Sequence, residues 1–388
     1  MRRLVYWILC ATALVSLLVP GVAAAQKLAG KEVVLGWIDP FSGWAAEWGQ
    51  TNEVTVNIAL QEINGGGGVG GVPLRFIKYD SASKPDDAIK AARRLIEQDQ
   101  VLAIMGPFLS TSAKMAFPVA NRAGVVMISG TAAAKGIAAE NRPWTFRNVV
   151  TSERMVGSTL DVFLKRNPNV KKVVLVYDNK DVVSKTQATQ DFPPLLKERK
   201  IEIDTTLTFV TGDVDFSAQV TKVKFANPDA IVLSAVQYEG ANFVKEVRRQ
   251  GLKQPVVMGI GSSAWGFIRQ GGEAVEGVVM PAYFWLGNPD PRAQAFIKNF
   301  RERKQHDPPH YTASVYDTVY ILKKVIEESG VTNRPEQKQE DRKKIRDHLA
   351  KLKNFPGITG KTSIRPDGDA DKEIYVVQVT KGEFLRIE

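Results

Sequence analysis

The segment Gly106-Pro107-Phe108-Leu109-Ser110-Thr111-Ser112 joins a short apolar run to a helix-forming stretch. A helix start carries unpaired backbone N–H groups and partial positive charge. Hydroxyls placed there, such as Ser110 and Thr111, can hold a carboxylate. Ser110 could equally serve as a helix cap and nothing more. The segment Ser129-Gly130-Thr131-Ala132-Ala133-Ala134 follows the next apolar run and is small enough for a ligand to approach its backbone. Trp44 and Trp48 lie beside Ser42-Gly43. They could cover an apolar or aromatic ligand, or pack the loop on itself. This is the chemistry of holding a small molecule.

Motifs for bond-making chemistry are missing. Gly66-Gly67-Gly68-Val69-Gly70-Gly71 satisfies the spacing of a dinucleotide loop, but a helix precedes it and a strand follows, the inverse of what that loop needs. Gly259-Ile260-Gly261-Ser262-Ser263-Ala264 does follow a strand but lacks an acidic partner in a β-α-β unit. There is no G-x-S-x-G and no P-loop. The three His, at 306, 310 and 348, fall in the polar C-terminal third and read as surface loop residues. Pro308 and Pro309 spoil a helical metal pair between His306 and His310. One Cys excludes disulfides and thiolate clusters. No catalytic residue, metal or cofactor is expected.

Arg2 and Arg3, an apolar run over 4–19, the Pro20-Gly21 break and Ala23-Ala24-Ala25 read as a secretory signal peptide over 1–25. Its removal takes away the only Cys and lowers the net charge of +10 by two. The basic residues are interleaved with acids, as in Arg301-Glu302-Arg303-Lys304, the pattern of solvated helix faces. Together with export, this excludes nucleic acid as a partner.

The elements that position these residues alternate. Apolar runs at 33–38, 74–79, 101–105 and 125–128 read as strands, separated by helical patterns over 51–63, 85–98 and 110–122. After Phe146-Arg147-Asn148 the series restarts, with strands at 173–177, 201–209, 229–233 and 255–259 and helices at 191–199, 216–226 and 240–250. A long helix follows over 311–328, and a final strand over 374–379. The polar stretch 332–347 reads as an exposed insertion. Two β-α series predict an α/β protein with two lobes of doubly wound parallel sheets and helices on both faces. Ligands of such sheets bind beyond the carboxyl ends of the strands, here the loops after Ile38, Met105, Ile128 and Tyr177.

The chain resembles the substrate-binding proteins of branched-chain amino acid ABC importers, the leucine/isoleucine/valine-binding group with the type I periplasmic-binding fold. The resemblance runs from about Lys31 to the C-terminus. It is carried by Asp39-Pro40-Phe41-Ser42-Gly43 with Trp48-Gly49-Gln50, Glu62-Ile63-Asn64, Tyr79-Asp80-Ser81, Gly106-Pro107, Phe146-Arg147, Asp213-Val214-Asp215-Phe216-Ser217, Ala226-Asn227-Pro228-Asp229 and Tyr316-Asp317. It implies a three-crossover hinge, with 26–147 plus 281–360 as one lobe and 148–280 plus 361–388 as the other. It further implies a periplasmic monomer that captures a small ligand between the lobes and docks on permease subunits.

By the same resemblance Ser110 and Thr111 match the hydroxyls that hold the ligand carboxylate, and Thr131 and Ala132 the backbone groups of the next loop. Trp48 matches a covering aromatic, and Tyr311 sits near another apolar contact. The ammonium side departs. Amino-acid binders place Thr where Ala133 stands, Tyr where Val182 and Val236 stand, and an acid where Gly261 stands. Burying an ammonium without a partner costs several kcal/mol. The ligand is therefore expected to carry a carboxylate and no α-amino group, unless Asp181 or Glu239 supplies the missing charge. Trp44, Trp48, Phe108, Tyr238 and Trp265 suit an aromatic or branched aliphatic acid. The alternatives are a true branched-chain amino acid binder and a ligand-sensing partner of a membrane receptor.

Overall fold

The computed structural model describes residues 28–387. The signal peptide expected over 1–25 lies outside them. Two parallel sheets organise the chain. The first holds β1 (Val33–Asp39), β2 (Leu74–Asp80), β3 (Ala103–Met105), β4 (Val126–Ser129) and β5 (Thr145–Arg147) in the order β2-β1-β3-β4-β5. The second holds β6 (Lys172–Asp178), β7 (Glu202–Phe209), β8 (Ala230–Ser234), β9 (Val256–Met258) and β10 (Val279–Ala282). A small antiparallel sheet of β11 (Phe355–Gly357), β12 (Gly360–Ile364) and β13 (Ala370–Asp371) follows. Then β14 (Tyr375–Thr380) and β15 (Glu383–Arg386) extend the second sheet antiparallel, in the order β15-β14-β10-β9-β8-β6-β7.

Side-chain alternation shows why both sheets read as continuous apolar runs. Val174, Val176, Ile231 and Leu233 pack on one face of the second sheet, with Phe216, Val220 and Val244 of the overlying segments. Val173, Leu175 and Val232 pack on the other face, with Val156, Leu160 and Phe192. Successive strand residues point to opposite faces, so two covered faces leave no polar alternation. The first sheet is built alike. Leu35, Trp37 and Met105 face the helices Ala46–Gly65 and His310–Glu328. Ile38, Ile104 and Met127 face the helices Pro85–Glu97 and Ser110–Ala123.

Three stretches of chain pass between the first sheet with the helices and small sheet packed on its core and the second sheet, after β5, after β10 and after β13. The first and third are tied by a buried ion pair, Arg147 Nε to Asp369 Oδ1 at 2.6 Å. Beside it the Lys372 ammonium donates to Asn148 Oδ1 at 3.0 Å. Burial pushes that ammonium down to about 8.

The polar stretch 332–347 is not an exposed insertion. It enters the helix Lys338–Ala350, whose Ile345 and Leu349 are fully buried in the first core. Arg342 donates to the Val101 carbonyl at 2.7 Å. Two apolar residues four apart form too narrow a stripe to stand out among the charges around them. Strand β14 is not the last strand either, since β15 pairs beside it.

Candidate functional site

The loops beyond the carboxyl ends of both sheets enclose a cavity of about 60 Å³. From the first sheet come Trp48 after β1, Phe108 and Ser110 after β3, and Thr131 and Ala133 after β4. From the second come Asp181 after β6, Val236 after β8, Gly261 after β9 and Tyr283 after β10. His310 and Tyr311, at the start of the helix His310–Glu328, complete the wall. Trp48 stacks on Phe108 with ring centroids 5.2 Å apart, and Phe108 meets Tyr311 edge-on at 5.3 Å.

Nine residues singled out from the sequence thus meet at one cavity: Trp48, Phe108, Ser110, Thr131, Ala133, Asp181, Val236, Gly261 and Tyr311. The structure places the others around it. Trp44 is 44% exposed, edge-on to Trp48. Thr111 is half-buried on its helix, outside the lining. Ala132 is buried, its N–H donating to Ser129 Oγ at 3.0 Å and its carbonyl accepting from Arg147 at 2.8 Å. Val182 packs toward the helices of the first sheet, and its neighbour Val183 reaches the cavity. Tyr238 donates to Glu47 across the cleft. Glu239 accepts from Gly212 N–H at 2.8 Å. The Trp265 indole N–H donates to the Asp307 carbonyl at 2.9 Å.

The reading of His310 as a surface residue is overturned. Pro309 forms the N-cap of a helix, which turns His310 inward onto the cavity. Its Nδ1 accepts the Tyr283 N–H at 3.0 Å, so the neutral ring carries its proton on Nε2. Burial pushes the imidazole down to about 3, and protonating Nδ1 would also break the bond to Tyr283. Tyr283, Ser263 and His310 were not singled out from the sequence. The polar Gln305-His306-Asp307-Pro308-Pro309 context hid the last, and the short strand β10, which carries Pro281, hid the first.

What the wall offers an anion is helix N-termini and hydroxyls rather than a cationic side chain. None of the cavity-lining residues is Lys or Arg. Three helices of 13 to 19 residues start at its wall: Ser110–Ala123, Gln237–Arg249 with Val236 as N-cap, and His310–Glu328. Their N-termini supply partial positive charge. Ser110 Oγ accepts the Ala134 N–H at 3.2 Å, which leaves its hydroxyl proton to donate. The Thr131 hydroxyl is used, donating to the Phe108 carbonyl at 2.8 Å. The buried Trp48 Nε1 has no hydrogen-bond partner among the described residues. An unpaired buried donor is costly and marks a place where a ligand acceptor fits.

Asp181 is the one carboxylate in the wall. Its Oδ2 accepts Ser184 N–H at 2.8 Å. Burial, with Asp178 and Glu239 adding like charge, raises it to about 6 against the pull of that bond. No group of three or more metal-ligating side chains is found among the described residues.

Two α/β units joined by three strands of chain, with an apolar cavity between them at helix N-termini, define a cleft-type solute receptor. A profile of the family described as periplasmic binding protein matches residues 32–383, and the chain belongs to that family. It is 24% identical over 369 residues to the leucine-, isoleucine-, valine-, threonine- and alanine-binding protein of Pseudomonas aeruginosa, covering 94% of each chain. It superposes on the branched-chain amino acid transporter substrate-binding protein LivJ of Streptococcus pneumoniae, solved with isoleucine, with a TM-score of 0.81 and 27% identity, covering 92% of this chain and 100% of that one. A solute-binding protein of an R. palustris ABC transporter, solved with benzoate, shares the fold at a TM-score of 0.81 and 20% identity, covering 92% and 95%. These relatives are solute-binding proteins of transporters, not enzymes. No described helix is long and apolar enough to cross a membrane.

Proposed function

We propose that this chain is an exported receptor that captures a small apolar carboxylate in the cavity between its lobes and delivers it to ABC permease subunits in the membrane. It acts in the periplasm as a monomer, after loss of residues 1–25. The lobes exchange near residue 148, near 281 and within 361–372. The observation that carries the reading is the composition of the wall: helix N-termini and the Ser110 hydroxyl for the carboxylate, and aromatic and aliphatic side chains elsewhere. The ligand is an aromatic or branched aliphatic acid, bounded by Trp48, Phe108 and Tyr311. Benzoate and isoleucine, held by proteins of this fold, bracket its size.

A second reading rests on Asp181. A carboxylate in the wall would pair with an α-ammonium, which makes a branched-chain amino acid the rival ligand. The test is a thermal-shift panel of amino acids, aliphatic acids and benzoates on mature chain refolded after ligand removal. A ligand at 100 times its dissociation constant adds about 2.7 kcal/mol. A shift with simple acids alone supports the first reading. A shift with leucine alone supports the second. No shift with any carboxylate refutes both.

A further inference from the structure

A second cavity, of about 30 Å³, adjoins the first, and the two share Ser263 and His310 as wall. Its interior is apolar, with Ala282, Phe284, Leu286 and Phe384 among its residues. Asp307 and Glu383 also border it. An apolar space with acids at its border repels a carboxylate and accepts a hydrocarbon. The partition is held in place. The His310 ring is fixed through Nδ1 to the Tyr283 backbone at 3.0 Å. It packs between the rings of Tyr283 at 4.9 Å and Tyr311 at 5.9 Å. The Ser263 hydroxyl is turned away, donating to the Pro281 carbonyl at 2.7 Å.

The geometry points to His310 as the residue that sets ligand length: its ring closes off an apolar annex that would otherwise take the distal end of a longer acid. The inference rests on the carboxylate reading above and adds a specificity determinant to it. The annex is of a size for a short hydrocarbon tail, about two or three methylenes. Each buried methylene strengthens binding about fourfold, so opening the annex favours a ligand longer by that amount by roughly 15- to 60-fold.

The experiment measures dissociation constants of two series on refolded mature chain: benzoates carrying 4-alkyl groups from methyl to butyl, and straight-chain 2-amino acids from alanine to 2-aminooctanoate. The readout is the ratio of long-chain to short-chain affinity within each variant, which a general loss of stability does not move. In His310→Ala that ratio is expected to rise at least tenfold in whichever series binds. Adding Leu286→Trp, which enlarges another residue of the annex wall, is expected to cancel the rise. A ratio that stays within threefold of wild type in His310→Ala overturns the inference and leaves the carboxylate reading standing. A rise that Leu286→Trp does not cancel also overturns it. Failure of wild type to bind any member of either series overturns the carboxylate reading and the inference together.

Discussion

Glu47 stands in the first turn of the helix Ala46–Gly65, on the first unit, and takes hydrogen bonds from three side chains of the second. Tyr238 donates its hydroxyl, Gln237 its amide at 3.4 Å and Arg269 its guanidinium at 3.3 Å. These bonds cross the cleft, so opening it would break them and they would act as a latch. The Arg269 side chain is 65% exposed, and its pair with Glu47 contributes about 0–1 kcal/mol. The phenol bond is charge-assisted and half-buried, in the class of about 1.5–3 kcal/mol. Glu47→Ala therefore costs the closed state about 2 kcal/mol. Apparent affinity scales with the fraction of closed protein, so the dissociation constant rises about 30-fold. The loss belongs in the off-rate, because the latch forms after the ligand has entered. Stopped-flow tryptophan fluorescence suits the measurement, with Trp44 and Trp48 beside the cleft. Tyr238→Phe should by itself reproduce part of the loss. Glu53→Ala, which removes an exposed partner of Lys78, should show none. An off-rate for Glu47→Ala within twofold of wild type would refute the latch.

Asp181 yields a prediction with a sign that depends on the ligand. An α-ammonium beside it favours the ionised form, so amino acid affinity should fall as pH drops below about 6, and Asp181→Asn should abolish both binding and that dependence; a simple acid should bind Asp181→Asn at least as well as wild type across pH 5–8. Without ligand, burial holds Asp39 at about 7 and Asp181 and Asp191 at about 6, so the folded chain keeps protons that the unfolded chain has released above about pH 4. His310 acts oppositely: at about 3 when folded, it stays neutral where the unfolded chain binds a proton below about pH 6.5. Near pH 5 three protons kept outweigh one refused, so unfolding releases about two protons and urea midpoints should fall between pH 5 and 7.5; a midpoint that rises over this window would count against the buried carboxyls. Asp369→Ala strands the buried Arg147 guanidinium and should cost about 3–5 kcal/mol in urea unfolding, with stability unchanged meaning that the pair contributes nothing. Gly106→Ala should prevent folding at 37 °C, since its φ is +100° and an added Cβ would lie 2.1 Å from the Ile38 carbonyl; a soluble, cooperatively melting variant would contradict this.

The two sheets were legible because a strand covered on both faces must be apolar throughout, as Val173-Val174-Leu175-Val176 is. Two short strands escaped. Thr145–Arg147 and Val279–Ala282 are too short for a pattern, and the second contains Pro281. The helices Ser152–Arg166 and Pro291–Lys304 were not read either, the second being charged on its outer turns. The site was half legible for the same reason. Ser110, Thr131 and Asp181 follow recognisable strands, so the rule that ligands sit beyond strand ends finds them. Tyr283 and His310 reach the cavity through the second crossover, a path no local pattern records. His310 stands at a helix start that its two prolines both make and disguise.

If the ligand is the proposed carboxylate, a wall without Lys or Arg bears on its release. A guanidinium keeps its full charge whether the cleft is open or closed, and so holds an anion in both states. Helix N-termini and the Ser110 hydroxyl offer partial charges, which water screens when the cleft opens and low dielectric strengthens when it shuts. Binding then depends on closure, and a ligand shifts a two-state equilibrium only by its differential affinity for the states. The neutral His310 and the aromatic wall serve the same end, since neither attracts the anion in water and both exclude water once the lobes meet. Glu47, Tyr238 and Arg269 lie on this path, so a receptor that gives up its ligand when prised open needs the latch and the uncharged cavity together.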